Sequence, residues 1–196
     1  MPTKILFGTN NKDKLREIQE LVGEKFQILS LKDIELDMDV EETEETLEGN
    51  ATLKAKTYYT ATGIACFSDD TGLEVDALDG RPGVYSARYA GENCSYQDNV
   101  DKMLGEMEDK TERTARFRTV ISFFDGENLH TFEGKVEGEI SREERGKGGF
   151  GYDPLFVPLE HDKSFAEMSP EEKNAISHRG KAVRKFAAFL NEQIND

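Results

Sequence analysis

Two adjacent carboxylates, Asp69 and Asp70, stand in the segment "SDDTG", directly after the apolar run "GIACF". The run predicts a buried strand, and a strand points neighbouring side chains to opposite faces. The two acids should therefore not share a site. Carboxylates bind Mg²⁺ and act as general bases, so one of them is a candidate for that chemistry. The other is expected to serve the adjoining turn, for instance by accepting backbone N–H groups.

The turn "TNNKDK" (residues 9–14) offers a second kind of chemistry. Thr9, Asn10 and Asn11 carry hydrogen-bonding groups, and free backbone N–H groups cluster where a helix begins. This end of a helix favours anions, and Lys14, one turn further on, adds a positive charge. The pattern fits a phosphate site, but it also fits an ordinary capped turn between a strand and a helix.

A glycine-rich loop, "GKGGFG" (146–151), matches the spacing Gly-x-Gly-x-x-Gly. A dinucleotide fingerprint needs a strand before it and a helix after it, whereas Pro154 and Pro158 oppose a helix here. We therefore interpret the segment as a loop. Phe150 and Asp153 suit a nucleobase, since one side chain stacks and the other accepts N–H groups. An ordinary loop with a core aromatic explains the pattern equally well.

Two charged segments complete the candidates. The acidic run 35–48 contains many possible Mg²⁺ ligands, although such a run is usually a solvated face. The segment "EEKNAISHRGK" (171–181) concentrates Lys173, His178 and Arg179 in an acidic chain. Its positive charge suits a phosphate or a base carbonyl oxygen, or simply balances the glutamates of its own helix.

The composition limits the partners of this chain. The 40 acidic and 25 basic residues give a net charge of −15, which repels nucleic acid polymers but not a small phosphorylated ligand beside a metal. There are two cysteines, no run near the ~20 apolar residues that a membrane helix needs, and no signal-like start. We expect a cytoplasmic protein without membrane contact.

The elements that must position these residues alternate in the first half. Strands are predicted at 4–8, at 26–31 and at 63–70, with helices between them, the second from about Glu44. In the second half, "DGEN" predicts a hairpin turn within 115–141, "SPEE" a helix start, and residues from Lys181 a closing helix. This order predicts one mixed α/β unit over residues 1–196.

Five blocks in this order resemble the inosine triphosphate pyrophosphatase family: "TNNKDK", "EETEETLEGNATLKAK", "SDDTGLEVDALDGRPGVYSARYAG", "GFGYDPLF" and "EEKNAISHRGKA". The resemblance extends from Ile5 to about Lys185. It implies a long mixed β-sheet flanked by helices, with two lobes around a central cleft, in a homodimer. Thr71 stands where serine is usual, and Gly49 stands where the family often has glutamate.

The resemblance also implies roles for individual residues. Asp70 would be the general base and a metal ligand, and Glu41 a second ligand of Mg²⁺. The predicted substrate contacts fall on the following positions of this sequence: Thr9, Asn10, Asn11, Lys12, Asp13, Lys14, Lys54, Thr71, Phe150, Gly151, Tyr152, Asp153, Lys173, His178 and Arg179.

The implied activity is Mg²⁺-dependent hydrolysis of deaminated purine nucleoside triphosphates (ITP, dITP and XTP) to monophosphate and pyrophosphate. This reaction keeps such nucleotides out of nucleic acid. Two alternatives stay open. One is a related pyrophosphatase for modified pyrimidine triphosphates, and the other is a nucleotide-binding protein without turnover.

Overall fold

A computed structural model describes residues 3–9, 11, 14–15, 18–19, 22 and 25–193. The chain forms two compact units. Unit 1 comprises Met1–Asp70, Val120–Glu133 and Ala182–Asp196, and unit 2 comprises Thr71–Thr119 and Gly134–Lys181. The interpretation of residues 1–196 as a single pyrophosphatase domain stays a prediction.

The described strands form one mixed sheet. Their bounds are β1 Thr3–Phe7, β2 Phe26–Ser30, β3 Cys66–Val75, β4 Pro82–Gly83, β5 Thr114–Phe124, β6 Leu129–Ile140 and β7 Phe156–Pro158. The order is β2-β1-β3-β5-β6-β7, and β4 pairs with β3. Strand β1 runs parallel to β2 and β3, whereas β4 and β7 are antiparallel to their neighbours. The predicted mixed sheet is confirmed.

The described part of the chain has helices at α1 Leu47–Thr62, α2 Tyr96–Glu106, α3 Pro170–Ile176 and α4 His178–Gln193. Residues 14–15, 18–19 and 22 also have helical backbone, as the sequence predicted for that segment. Helix α3 begins with the predicted capping box, in which Ser169 and Glu172 cap each other's backbone N–H groups.

Two helix starts differ from the prediction because of their caps. Helix α1 begins at Leu47 and not at about Glu44, since the Thr46 side chain accepts the Gly49 N–H at 3.0 Å. Helix α4 begins at His178, three residues before the predicted Lys181. The Ser177 hydroxyl accepts the Gly180 N–H there, at 3.0 Å.

Each unit has its own apolar core. In unit 1, buried side chains of β1, β3, β5 and α4 pack together, among them Phe7, Phe67 and Phe186. In unit 2, the core joins β3, β5 and α2 to the segment after the glycine-rich loop, through residues such as Met103 and Phe156. Burial of these large side chains is the main stabilising contribution to each unit.

Gly8 allows the chain to pass closely over the first residues of β3. A Cβ atom at this position would lie 2.4 Å from Ser68 Oγ and from the Tyr58 ring, so no larger residue fits without a shift. The Ser68 hydroxyl donates to the Gly8 carbonyl at 3.0 Å. Gly8 thus places the turn that follows β1 beside the residues that precede Asp69.

No described helix is long and apolar enough to cross a membrane.

Candidate active site

The turn after β1 is built by its own side chains. The Asn11 N–H donates to Thr9 Oγ1 at 3.1 Å, and the Lys14 N–H donates to Asn11 Oδ1 at 3.2 Å. Asn11 therefore caps the start of the helical segment, which leaves this end of the segment positive. The predicted contacts Asn10, Lys12 and Asp13 lie outside the described residues.

Lys14 is held by the first carboxylate of the pair. Its Nζ atom lies 2.9 Å from Asp69 Oδ1 and 2.8 Å from Oδ2, and the Asp69 side chain is only 3% exposed. The sequence predicted that a turn adjoins the acid pair and that Asp69 accepts its backbone N–H groups, which is wrong because β3 continues to Val75. The structure adds a side-chain partner, 55 residues away, that the sequence did not predict.

Asp70 contacts a different lysine. Lys54, on α1, places its Nζ atom 3.3 Å from Asp70 Oδ1 and 2.6 Å from Glu42 Oε1. Asp69 pairs with Lys14 and Asp70 with Lys54, so the two neighbouring acids contact different lysines, although both charges act on Lys54. Two lysines and three carboxylates therefore lie within unit 1 close to the junction of Asp69 and Asp70.

Burial controls the acid–base behaviour of this cluster. Desolvation raises the pKa of Asp70 to about 6, from an ordinary 3.8; Lys54 opposes the rise, while Glu42 and Asp69 add to it. Burial lowers the pKa of Lys54, but the carboxylates of Asp70, Asp69 and Glu42 outweigh it, and the net direction is upward. Asp70 is thus a base that titrates near neutrality beside a lysine that stays charged.

One atom of the cluster is suited to a cation. Asp70 Oδ2 is buried and has no hydrogen-bond partner among the described residues. An unsatisfied buried carboxylate oxygen is costly unless a ligand completes it, and Mg²⁺ binds through one or two carboxylates plus waters and phosphate oxygens. The described residues contain no group of three or more metal-binding side chains, so the protein itself offers few ligands. Mg²⁺ fits such a site because substrate oxygens supply the rest.

The second predicted ligand, Glu41, is exposed, and its neighbour Glu42 is the acid that contacts Lys54. The sequence alone could not separate Glu41 from Glu42 or Glu44 as a ligand, and the choice of Glu41, which the family resemblance implies, stays a prediction. Thr71 follows Asp70 in β3, and its hydroxyl lies 2.7 Å from the Thr119 hydroxyl. The hydroxyl that stands in place of the usual serine is therefore held by a neighbouring strand.

In unit 2, the glycine-rich segment forms a fixed loop around Asp153. Gly149 and Gly151 have φ values of 71° and 60°, in the region that favours glycine. A Cβ at Gly149 would lie 2.0 Å from Asp153 Oδ2. The same oxygen accepts the Phe150 N–H at 2.9 Å, and Asp153 is buried. Asp153 therefore ties the loop together from inside.

Positive side chains converge on Phe150. The Lys173 Nζ atom lies 2.6 Å from Asp153 Oδ2 and 4.8 Å from the centre of the Phe150 ring. The Arg179 guanidinium lies 5.4 Å from that ring centre. These distances are within the range of cation–π attraction. The structure thus brings four predicted substrate contacts together: Phe150, Asp153, Lys173 and Arg179.

Two other predicted contacts are largely core residues. Tyr152 is buried, and its hydroxyl donates to the Ser86 carbonyl at 2.8 Å. His178 is buried as well, and its ring stacks on Phe117 at 4.6 Å between centroids with an interplanar angle of 14°. His178 lies next to Arg179 at the start of α4, so packing against the unit 2 core positions both residues.

Sequence reasoning missed the ion pairs Lys14–Asp69, Lys54–Glu42 and Lys173–Asp153. The partners are 55, 12 and 20 residues apart in the chain. Composition shows the abundance of both charges, but only the fold decides which pairs meet. One signal was available: each lysine belongs to a block that the family resemblance had already marked.

Comparison with known proteins identifies the family of this chain. Residues 5–189 match the model of the Ham1 family. A dITP/XTP pyrophosphatase of Flavobacterium psychrophilum is 50% identical, over 95% of this chain and 98% of the relative. The dITP/XTP pyrophosphatase of Bacillus subtilis is 43% identical, over 94% of this chain and 96% of its own.

Solved structures show the same fold. The Ham1 protein of Staphylococcus aureus superimposes with a TM-score of 0.91 at 40% identity, covering 97% of this chain and 100% of that one. A HAM1 protein of Coxiella burnetii gives 0.92 at 39% identity, covering 97% and 99%. This chain belongs to the Ham1 family, and the resemblance inferred from its sequence is confirmed.

Proposed function

We propose that this protein hydrolyses deaminated purine nucleoside triphosphates to the monophosphate and pyrophosphate. The observation that carries the proposal is Asp70, a buried carboxylate whose pKa of about 6 suits proton abstraction near neutral pH. Its unit also contains two partly buried lysines for phosphate oxygens, in a chain about half identical to proteins named dITP/XTP pyrophosphatases.

The unit 1 group binds the triphosphate in this proposal. Lys14 and Lys54 supply positive charge, and the positive end of the helical segment that Asn11 caps adds to it. Asp70 takes a proton from the attacking water, which adds to the α phosphorus and releases pyrophosphate. Most of the acceleration then comes from positioning and from the charges that oppose the growing negative charge.

Mg²⁺ is the cofactor of the proposed reaction. Asp70 Oδ2 would hold it, with Glu41 as the predicted second ligand and Glu42 as the neighbouring alternative that the structure suggests. When bound, the ion lowers the pKa of coordinated water and offsets charge on phosphate oxygens. Removal of the metal by a chelator is expected to abolish turnover, and added Mg²⁺ to restore it. Full hydrolysis in excess chelator by metal-free protein would contradict this role.

The unit 2 group reads the purine. Inosine and xanthosine carry an oxygen at C6 where adenosine carries an amino group. Lys173 and Arg179, with His178 beside them, offer hydrogen-bond donors to that oxygen. The amino group of adenosine is itself a donor, so it cannot accept these hydrogen bonds. A site built on polar pairing rejects the wrong partner by about 10⁴ to 10⁵. Guanosine shares the C6 oxygen and must be rejected through its C2 amino group.

The test is a panel of kcat/KM values under one Mg²⁺ condition, with pyrophosphate release as the readout. ITP, dITP and XTP are expected to be good substrates and ATP and GTP poor ones, with little difference between ribose and deoxyribose. Equal values for ITP and GTP would contradict the assignment. Preference for a modified pyrimidine triphosphate would establish the first alternative, and binding of ITP without turnover the second.

The proposal extends to assembly and location. Homodimer formation follows from the family resemblance, and light scattering of the purified protein tests it. A cytoplasmic location is part of the proposal, because the predicted substrate arises in nucleotide pools and two cysteines are too few for a disulfide framework.

A further inference from the structure

Tyr96 lies beside the loop that we assign to the purine, and neither a motif nor the mechanism accounts for it. It is the first residue of α2, and its side chain belongs to the few large ones that stay exposed, at 57%. Its ring centre lies 6.0 Å from that of Phe150, with an interplanar angle of 41°. This distance is within the range of favourable aromatic pairs.

The backbone that carries Tyr96 is held firmly. Ser95 and Asp98 form a capping box at 2.7 Å and 3.1 Å, which determines the first turn of α2. Asn99 then binds the preceding segment, since its side chain accepts the Ala90 N–H at 2.7 Å and donates to the Ala87 carbonyl at 3.1 Å. An exposed aromatic ring on an anchored helix start loses little conformational entropy when it contacts a ligand.

The ring of Phe150 is by itself a crowded stacking surface for a base. The charged ends of Lys173 and Arg179 both lie over its ring, at 4.8 Å and 5.4 Å from the centroid. A base that stacks on Phe150 must share that ring with two cations. The neighbouring Tyr96 ring enlarges the aromatic surface at the edge of the loop and adds a phenol that can donate to or accept from a base edge.

We propose that Tyr96 is a specificity-determining residue that forms, with Phe150, the aromatic surface on which the purine base rests. This inference rests on the proposed function for its substrate class, and it concerns the base and not the phosphates. A stacking contact with an aromatic side chain strengthens the binding of a base about fivefold or more in nucleic acid complexes.

Three variants test it. Tyr96→Ala is expected to raise KM for ITP about tenfold with kcat nearly unchanged. Tyr96→Phe keeps the ring and is expected to restore most of that loss. Leu159→Ala is the matched control, because Leu159 is an apolar residue of the same unit with an exposure of 56%. It should leave KM unchanged.

Inorganic tripolyphosphate separates a base contact from a general effect, because it has no base. Its inhibition constant should be the same for wild type and Tyr96→Ala. Equal weakening of ITP and tripolyphosphate would overturn the inference, as would identical KM values for Tyr96→Ala and Leu159→Ala.

Binding of inosine monophosphate, measured by calorimetry without metal, provides a readout independent of turnover. Its dissociation constant should rise about tenfold in Tyr96→Ala, and no change would overturn the inference. If the wild type binds this nucleotide but hydrolyses no purine triphosphate, the proposed function fails while the role of Tyr96 is still decided by the same binding comparison.

Discussion

The two groups of candidate site residues use positive charge in different ways. In unit 1, each lysine is paired with carboxylates, Lys14 with Asp69 and Lys54 with Asp70 and Glu42. In unit 2, Lys173 and Arg179 lie over the ring of Phe150, and one buried acid, Asp153, holds the lysine. The first arrangement suits ligands that bring strong negative charge, and the second suits a flat, polar ring.

This difference indicates how one chain can assign turnover to one group of residues and selection of the base to another. Lysines that can pair with either a carboxylate or a phosphate act equally on every nucleoside triphosphate, because all of these substrates carry the same phosphates. Cations held against an aromatic ring act on the base alone. The comparison therefore predicts that substitutions in unit 1 change turnover for all substrates together, whereas substitutions in unit 2 change the ratio between substrates.

The largest effect is expected from Asp70→Asn. The amide keeps the shape but cannot accept the proton, and it removes one charge from the cation site. Turnover should fall by about 10³ or more for every nucleotide, with the fold retained by circular dichroism. Asp109→Asn, at an exposed acid in unit 2, is the control and should be unaffected. Near-normal turnover of Asp70→Asn at subsaturating ITP would remove the assigned base.

A smaller loss is expected from Asp69→Asn, because this change releases Lys14 from the bidentate contact at 2.8 Å and 2.9 Å. A lysine that must be ordered by the substrate binds it less well, and we expect kcat/KM to fall roughly 10- to 100-fold. The loss should be the same for ITP and ATP. A changed ratio of the kcat/KM values for ITP and ATP would show that unit 1 also recognises the base. It would contradict the separation of roles between the two units.

The complementary change in unit 2 is Asp153→Asn. The new side chain can still accept the Phe150 N–H, but it no longer neutralises Lys173 at 2.6 Å. Lys173 should then move relative to the Phe150 ring, and the preference for ITP over ATP should narrow about tenfold, since one misplaced polar contact is worth about 1–2 kcal/mol. Inhibition by tripolyphosphate provides the check and should stay at the wild-type value. An unchanged ITP-to-ATP ratio would argue against Asp153 as a selectivity element.

The smallest effect concerns stability and pH. In the folded metal-free protein, burial keeps Asp70 protonated up to about pH 6, whereas an unfolded chain releases this proton near 3.8. The folded state therefore binds more protons between these values, and the contribution of Asp70 to stability falls as pH rises from about 4 to 6. The Asp70→Asn variant has no carboxyl at this position, so its stability should not fall over this pH range for this reason.

We expect metal-free Asp70→Asn to be more stable than wild type at pH 8, by about 2 kcal/mol, and equal to it near pH 4. Urea unfolding at both pH values measures the difference. A variant less stable than wild type at pH 8 would mean that the contact to Lys54 outweighs desolvation in this cluster. In unit 2, Asp109→Asn should show no such dependence on pH.

Particular residues show how far the sequence alone reaches. The hairpin turn at 125–128 was predicted from "DGEN", and Asp125 indeed accepts the N–H groups of Glu127 and Asn128 at 2.8 Å and 2.7 Å. The capping box of α3 was predicted in the same way and is confirmed. Such features follow from sequence because their hydrogen bonds join residues two or three positions apart, so no distant part of the chain can alter them.

The helix starts at Leu47 and His178 show where local signals compete. Several residues before each start could act as a cap, and the one that does depends on packing of the whole helix. The blocks that carry the family resemblance marked both Asp70 and Lys54 as site residues, but they did not predict that the two side chains contact each other.

What the sequence by itself determined is the set of local features: an acidic chain with two adjacent carboxylates after an apolar run, a capped turn, a glycine-rich loop and a late basic segment, in an α/β order. What only the tertiary structure decided is the pairing. Lys14 meets Asp69, Lys54 meets Asp70 and Glu42, and Tyr96 meets Phe150. Composition cannot specify these contacts, because Coulomb and stacking interactions act over a few ångströms, and only the folded backbone brings residues tens of positions apart within that range.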